Sequence, residues 1–249
     1  MTIDNKAIYD ENWQAWLDMK VHGPASRWLR ALIKIQLDGL ADRDLIHSVL
    51  DVGCGEGTIT DYLATWLPQA RVVGVDFSET GIRCAESRYQ RLNLEFRHDI
   101  SSDELEKPHD LVTAFEVMEH VEDWQSLLTR MAASARQLVL LSFPTGRMRP
   151  FEVHVGHFRN FKKGEVETFM RSQGFVSERI LYAGFPFYSP IYRELCNYTD
   201  SASNRFSTGE YGWRQKLVAS VFYTLFRWGS TRQNLGDQFC GLFRREKPL

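Results

Sequence analysis

The sequence predicts a doubly wound α/β fold: a mostly parallel sheet flanked by helices, with a helical cap before it and an insertion ahead of the last strand. Three observations carry that reading. From residue 48 onward, short apolar runs alternate with polar segments of helical length, the pattern of successive βαβ units. The runs are almost continuously Val, Leu, Ile and Phe, as parallel strands buried on both faces should be. The first run ends in a glycine-rich turn, at the edge of the sheet where open α/β folds bind ligands. A chain of 249 residues, 43% hydrophobic and 25% charged, suits one large domain and a globular rather than disordered or fibrous state.

Residues 8–38 read as two helices parted by His22-Gly23-Pro24, forming a cap over one edge of the sheet. Strands follow at 48–52, 71–75, 94–97, 111–115 and 137–143, with crossover helices at 57–66, 79–91 and 123–135. Residues 144–161 hold Pro144, Gly146, Pro150 and Gly156 and read as a long loop. An amphipathic helix over 162–175 is stopped by Gly174, and strands are predicted at 176–183 and 236–245. Between those strands lie about fifty aromatic-rich residues, too many for a plain turn. The expected organisation is therefore a cap (1–44), an α/β core (45–183), an insertion or lid (184–235) and a last strand with its tail (236–249).

Lys and Arg number 30 against 32 Asp and Glu, a formal charge of −2, so no basic excess points to nucleic acid. Cys54, Cys84, Cys196 and Cys240 are widely spaced, which argues against a disulfide framework or structural zinc. The first residues are polar and acidic rather than signal-like, and LVASVFYTLF at 217–226 is too short to span a bilayer. A reducing, cytoplasmic setting is the expectation.

The motifs lie at strand ends. LDVGCGEGT (50–58) places Asp51, Gly53, Cys54, Gly55 and Gly57 where the first strand turns into a helix. Glycines there let backbone approach a ligand closely, and the helix start offers unpaired N–H groups. Asp76, followed by Phe77, ends the second strand 25 residues after Asp51, where a carboxylate can accept from both hydroxyls of a ribose. Asp99 and Ile100 follow the third strand, suited to an amino group and to the face of a purine. Phe115, Glu116, Glu119 and His120 follow the fourth.

In their order LDVGCGEGT, VVGVDFS, RHDIS and FEVMEHV, these segments resemble the class I S-adenosylmethionine-dependent methyltransferases, especially small-molecule enzymes with a DxGCGxG loop and a later EHV. The resemblance covers about residues 45–183. It implies a seven-stranded sheet with a reversed terminal pair of strands, S-adenosylmethionine as cofactor, the glycine loop against its amino-acid portion, Asp76 on the ribose and Asp99 by the adenine. The family's Leu-Lys-Pro-Gly-Gly turn before the fifth strand is replaced by MAASARQLVLL, a departure remote from the cofactor.

The implied reaction is in-line transfer of a methyl group to O or N of a small-molecule or lipid- or sugar-linked acceptor. His120 reads either as a general base near the cofactor or as a structural wall, and His157 as a second candidate base. Tyr9, His154, Arg159, Phe187, Tyr188 and Tyr192 are expected to line the acceptor site. Arg147, Arg149 and Arg159 suggest an anionic acceptor or, equally, loop salt bridges. His154 and His157 lack a third ligand at recognised spacing, so no metal is expected. The aromatic insertion fits an acceptor cavity or a homodimer surface, and its helix at 213–228, apolar on nearly every side, reads first as core packing and otherwise, with Arg214, Lys216, Arg227 and Arg232 flanking it, as peripheral membrane contact. The alternatives are an NAD-dependent oxidoreductase, disfavoured by the GxGxG spacing, and a non-catalytic nucleotide-binding module.

Overall fold

The computed structural model describes residues 5–98, 104–199, 209–231 and 234–246, with the side chains of 5–9, 11, 12, 198 and 199 outside that description. Seven strands form one sheet: β1 (Ser48–Val52), β2 (Arg71–Asp76), β3 (Leu94–His98), β4 (His109–Phe115), β5 (Ala135–Pro144), β6 (Phe175–Ala183) and β7 (Gln238–Arg245). Their order is β3-β2-β1-β4-β5-β7-β6, with β7 antiparallel to both of its neighbours and the first five strands parallel. This is the predicted doubly wound sheet with its late reversal. The switch point lies between β1 and β4, which pair although β2 and β3 separate them in sequence.

Successive strand residues bury on opposite faces. Leu50, Val112, Val139 and Leu141 face a core closed by α5 (Trp124–Ser134) and α7 (Glu165–Ser172). Val49, Leu111, Leu138 and Leu140 face a core closed by α2 (Pro24–Asp38), α3 (Thr58–Trp66) and α9 (Trp213–Gly229). Double-sided burial is why the strands read as unbroken apolar runs. The other α-helices among the described residues are α1 (Asn5–His22), α4 (Glu79–Arg88), the short α6 (Pro150–His154) and α8 (Arg193–Thr199). Local chemistry sets several boundaries. Pro24 opens α2 where its missing N–H costs nothing, and Ser78 caps α4 by accepting from Gly81 N at 3.0 Å.

Two expectations are revised. The cap extends beyond one edge: α2 lies on a sheet face, its Gln36 donating to Cys240 O at 2.7 Å, while α1 reaches the glycine loop. The 144–161 segment contains α6 and folds back on itself, Thr145 pairing with Phe161. The 213–228 part of the insertion packs in the core, as its all-round apolar character implies: Phe226 of α9 is fully buried, and Tyr188 and Tyr192 pack on it.

Candidate active site

The carboxyl end of β1 turns through Gly53, Gly55 and Gly57, with φ of 73°, 56° and 82°. All three lie in the left-handed region that favours glycine. Space adds a second constraint at two of them. A Cβ on Gly53 would stand 2.4 Å from Val117, and one on Gly55 would stand 2.4 Å from the indole of Trp13. The cap helix α1 and the turn after β4 therefore close directly on the loop.

Asp76 ends β2 beneath this cradle. Its Oδ2 accepts from Gly55 N and its Oδ1 from Ser78 N, each at 2.8 Å, which fixes the carboxylate while leaving lone pairs for further donors. Burial lifts its pKa from 3.8 to about 6, with Asp10 adding to the rise and His98 opposing it. Asp51 is likewise pushed up to about 6 by burial, but Thr60 and Thr113 hydroxyls each donate to it at 2.7 Å. Asp51 thus anchors the base of the loop. Burial, then Asp76, Asp51 and Glu56, hold the Cys54 thiol well above its usual range, so it is no thiolate. Phe77 O is 3.0 Å from His98 Nε2 at the rim, whereas Phe115 packs in the core beside α2 and α3. Asp99 and Ile100 lie outside the described residues.

The turn after β4 carries a second cluster. Glu116 takes φ 57°, and its Oε1 accepts from Ser142 Oγ and Gln238 Nε2, both at 2.8 Å. That turns it toward β5 and β7 rather than the glycine loop. Glu119 is buried, and burial followed by the charge of Glu116 pushes its pKa well upward. His120 and His157 meet edge to face, ring centroids 4.6 Å apart. Burial, reinforced by His157, lowers His120 to about 3, and burial also lowers His157, so both imidazoles are neutral near pH 7. A side chain that gives up its proton so readily is a weak general base. The 156–158 segment is held against this turn by Phe158 N donating to Glu119 O at 2.8 Å.

The other expected acceptor residues disperse. His154 is exposed and bonded to Pro150 O, away from the His120–His157 pair. Arg159 donates to Glu122 O at 2.9 Å. Arg149 pairs with Glu194 at 2.8 Å, and Arg147 pairs with the same carboxylate, which favours the salt-bridge reading of these arginines. Phe187, Tyr188 and Tyr192 pack into the core with α2 and α9, Tyr188 lying 4.7 Å from Trp28. Tyr9 lies on α1, its side chain outside the description. The sequence reading did not single out Trp13, or the buried Arg193–Glu152 ion pair that ties the insertion to the 144–161 segment. A lone Arg in an aromatic stretch carries no periodic signal that would mark it as buried.

Residues 50–137 match a family model described as a methyltransferase domain. Over that stretch the chain is similar to methyltransferase domains. Among curated relatives, the chain is similar to the malonyl-[acyl-carrier protein] O-methyltransferase of Acetivibrio thermocellus, 30% identical over 134 residues, covering 53% of this chain and 47% of that protein. A probable S-adenosylmethionine-dependent methyltransferase of Mycobacterium tuberculosis is 30% identical over 167 residues, covering 63% of this chain and 57% of the relative. The chain thus spans about half the length of the curated relatives it matches. The fold is shared with magnesium protoporphyrin IX methyltransferase from Synechocystis with bound S-adenosylmethionine, at a TM-score of 0.59 and 17% identity over 98% of this chain and 99% of that one.

Proposed function

We propose that the protein binds S-adenosylmethionine between the glycine cradle and Asp76 and transfers its methyl group to an oxygen or nitrogen of a small or lipid-linked acceptor. The observation that carries this is the acidic surround of the cradle: Asp51, Glu56 and Asp76 are all buried at the glycine turn, and Asp76 accepts from Gly55 N. A cationic sulfonium with an ammonium group suits that field. The pyrophosphate of NAD, which prefers the positive end of a helix without carboxylates around it, does not. When bound, the cofactor supplies an electrophilic methyl group on sulfur. Asp76 accepts from the ribose hydroxyls, Trp13 walls the loop, and His120 and His157 border the acceptor atom. Positioning in line with the sulfur and exclusion of water then supply much of the rate.

The outer face of α9 supports a membrane-surface acceptor. Trp213, Leu217, Val221, Leu225 and Trp228 form an exposed stripe, with the two tryptophans 71% and 83% exposed, and Arg214, Lys216 and Arg227 lie on the same helix. Apolar residues ending in tryptophans beside basic groups match a helix lying in the headgroup layer. No helix among the described residues is long and apolar enough to cross a membrane. The test is incubation of the protein with methyl-labelled cofactor and fractionated cell extracts, read by mass spectrometry. Label in an organic-soluble or small-molecule product supports the reading, and no transfer to any fraction opposes it.

A further inference from the structure

We propose that Glu119, His120 and His157 form a site for a divalent transition-metal ion of the zinc or manganese class, beside the glycine cradle. Each contributes one ligand atom, and these atoms lie within 4.8 Å of one another, with His120 Nε2 4.0 Å from Glu119 Oε1. An ion with bonds of about 2.0–2.2 Å would draw them to roughly 3–3.5 Å, a movement small side-chain rotations supply. Two imidazoles with one carboxylate favour a transition metal over magnesium or calcium, which prefer oxygen.

The hydrogen bonds around the histidines already select the ligand tautomer. His120 Nδ1 stands 3.1 Å from Gly156 O, a carbonyl that can only accept, so the proton sits on Nδ1 and the lone pair on Nε2. His157 Nδ1 stands 3.4 Å from Asn160 Oδ1, and the Asn160 amide is held in that sense by Nδ2 donating to Glu152 Oε2 at 3.0 Å. Carbonyl and amide partners on the far nitrogen are the usual support of a metal-bound histidine.

An independent observation points the same way. Glu119 Oε2 is fully buried and has no hydrogen-bond partner among the described residues. Glu116 and Glu152 are the other carboxylates that face Glu119, and Glu152 is paired with Arg193.

The site also narrows the acceptor, a consequence that rests on the methyltransferase reading. Three protein ligands leave coordination positions open. A hydroxyl bound there is acidified as metal-bound water is: its O–H bond breaks, the electron pair stays on the coordinated oxygen, and the proton passes to solvent. Val117, which touches the glycine loop, lies between Glu116 and Glu119, so that oxygen stands next to the cofactor cradle. The acceptor class is then an alcohol or phenol rather than an amine, whose lone pair the ion would occupy.

The test uses the full chain, stripped with EDTA and titrated calorimetrically with Zn2+, Mn2+ and Mg2+, with Co2+ absorption as a second readout. One transition ion per chain is expected, with Mg2+ far weaker. His120→Ala and Glu119→Gln should weaken binding by more than the roughly 10–100-fold that loss of a supporting hydrogen bond costs. His154→Ala should leave it unchanged. Where a variant loses its native circular dichroism, the Co2+ d–d bands of the unmutated protein, with imidazole nitrogens seen by electron–nuclear spectroscopy, decide the matter. Absence of uptake, or uptake indifferent to both variants, overturns the site. Binding of S-adenosylhomocysteine to the EDTA-stripped protein is measured in parallel, so that loss of the metal proposal and loss of the methyltransferase reading are told apart.

Discussion

The indole of Trp13 occupies the space that a Cβ on Gly55 would need, 2.4 Å from where that atom would sit. The N-terminal cap and the glycine loop are therefore one packed unit, and Gly55 is constrained both by its φ of 56° and by the ring. Gly55→Ala is expected to cost about 1–3 kcal/mol from backbone strain alone. Urea unfolding measures that loss. Calorimetry with S-adenosylhomocysteine should show weaker binding in the same variant, and Trp13→Ala introduced beside it should relieve the steric part without restoring the backbone part.

Asp76→Ala removes the carboxylate proposed to accept from the ribose. The expected loss is about 1–3 kcal/mol, roughly ten- to a hundredfold in affinity. Fluorescence titration with S-adenosylhomocysteine checks it; unchanged affinity would remove Asp76 from the site.

The same carboxyl sets a pH dependence. Its pKa rises from 3.8 to about 6 because of burial, with Asp10 and His98 as its charged neighbours. The folded protein therefore holds this proton where the unfolded chain has lost it, and the group's contribution to stability falls as pH rises from about 4 through 6. Cofactor binding runs the other way, because ribose hydroxyls donate to the ionised form. Affinity for S-adenosylhomocysteine should weaken as pH drops below 6, and in Asp76→Asn that step should disappear, leaving only what Asp51 contributes.

The Arg193–Glu152 ion pair is buried on both sides, each side chain 2% exposed. Removing one partner strands the other charge, so Arg193→Met should destabilise the fold by about 3–5 kcal/mol. Arg147, which is 69% exposed in its pair with Glu194, should cost less than about 1 kcal/mol as Ala. Denaturant unfolding compares the two.

Replacing Trp213 and Trp228 by Ser should abolish cosedimentation with anionic vesicles while leaving turnover on a soluble acceptor intact. Equal sedimentation of variant and parent protein would assign the exposed stripe on α9 some other role.

The strands and the glycine cradle were legible because their signals are local. Leu50-Asp51-Val52 followed by Gly53, Gly55 and Gly57 declares a buried strand and a left-handed turn within eight residues. Asp76 was legible because it closes the next strand. The cluster of Glu119, His120 and His157 was not, since the sequence set His157 beside His154, three residues away, whereas the fold of the 144–161 segment turns His154 to solvent and His157 inward. Tyr188 and Tyr192 are ambiguous in sequence for a related reason: aromatic density looks the same whether it lines a cavity or locks α9 onto α2. Pairings made across long sequence separations, such as Trp13 with Gly55 or Arg193 with Glu152, leave no periodic trace.

The most direct test of the methyltransferase reading is paired calorimetric titration of the full chain with S-adenosylhomocysteine and with NAD. The acidic cradle predicts one S-adenosylhomocysteine bound per chain, weakened in Asp76→Ala, and no measurable heat with NAD. Saturable binding of NAD with none of S-adenosylhomocysteine would contradict it.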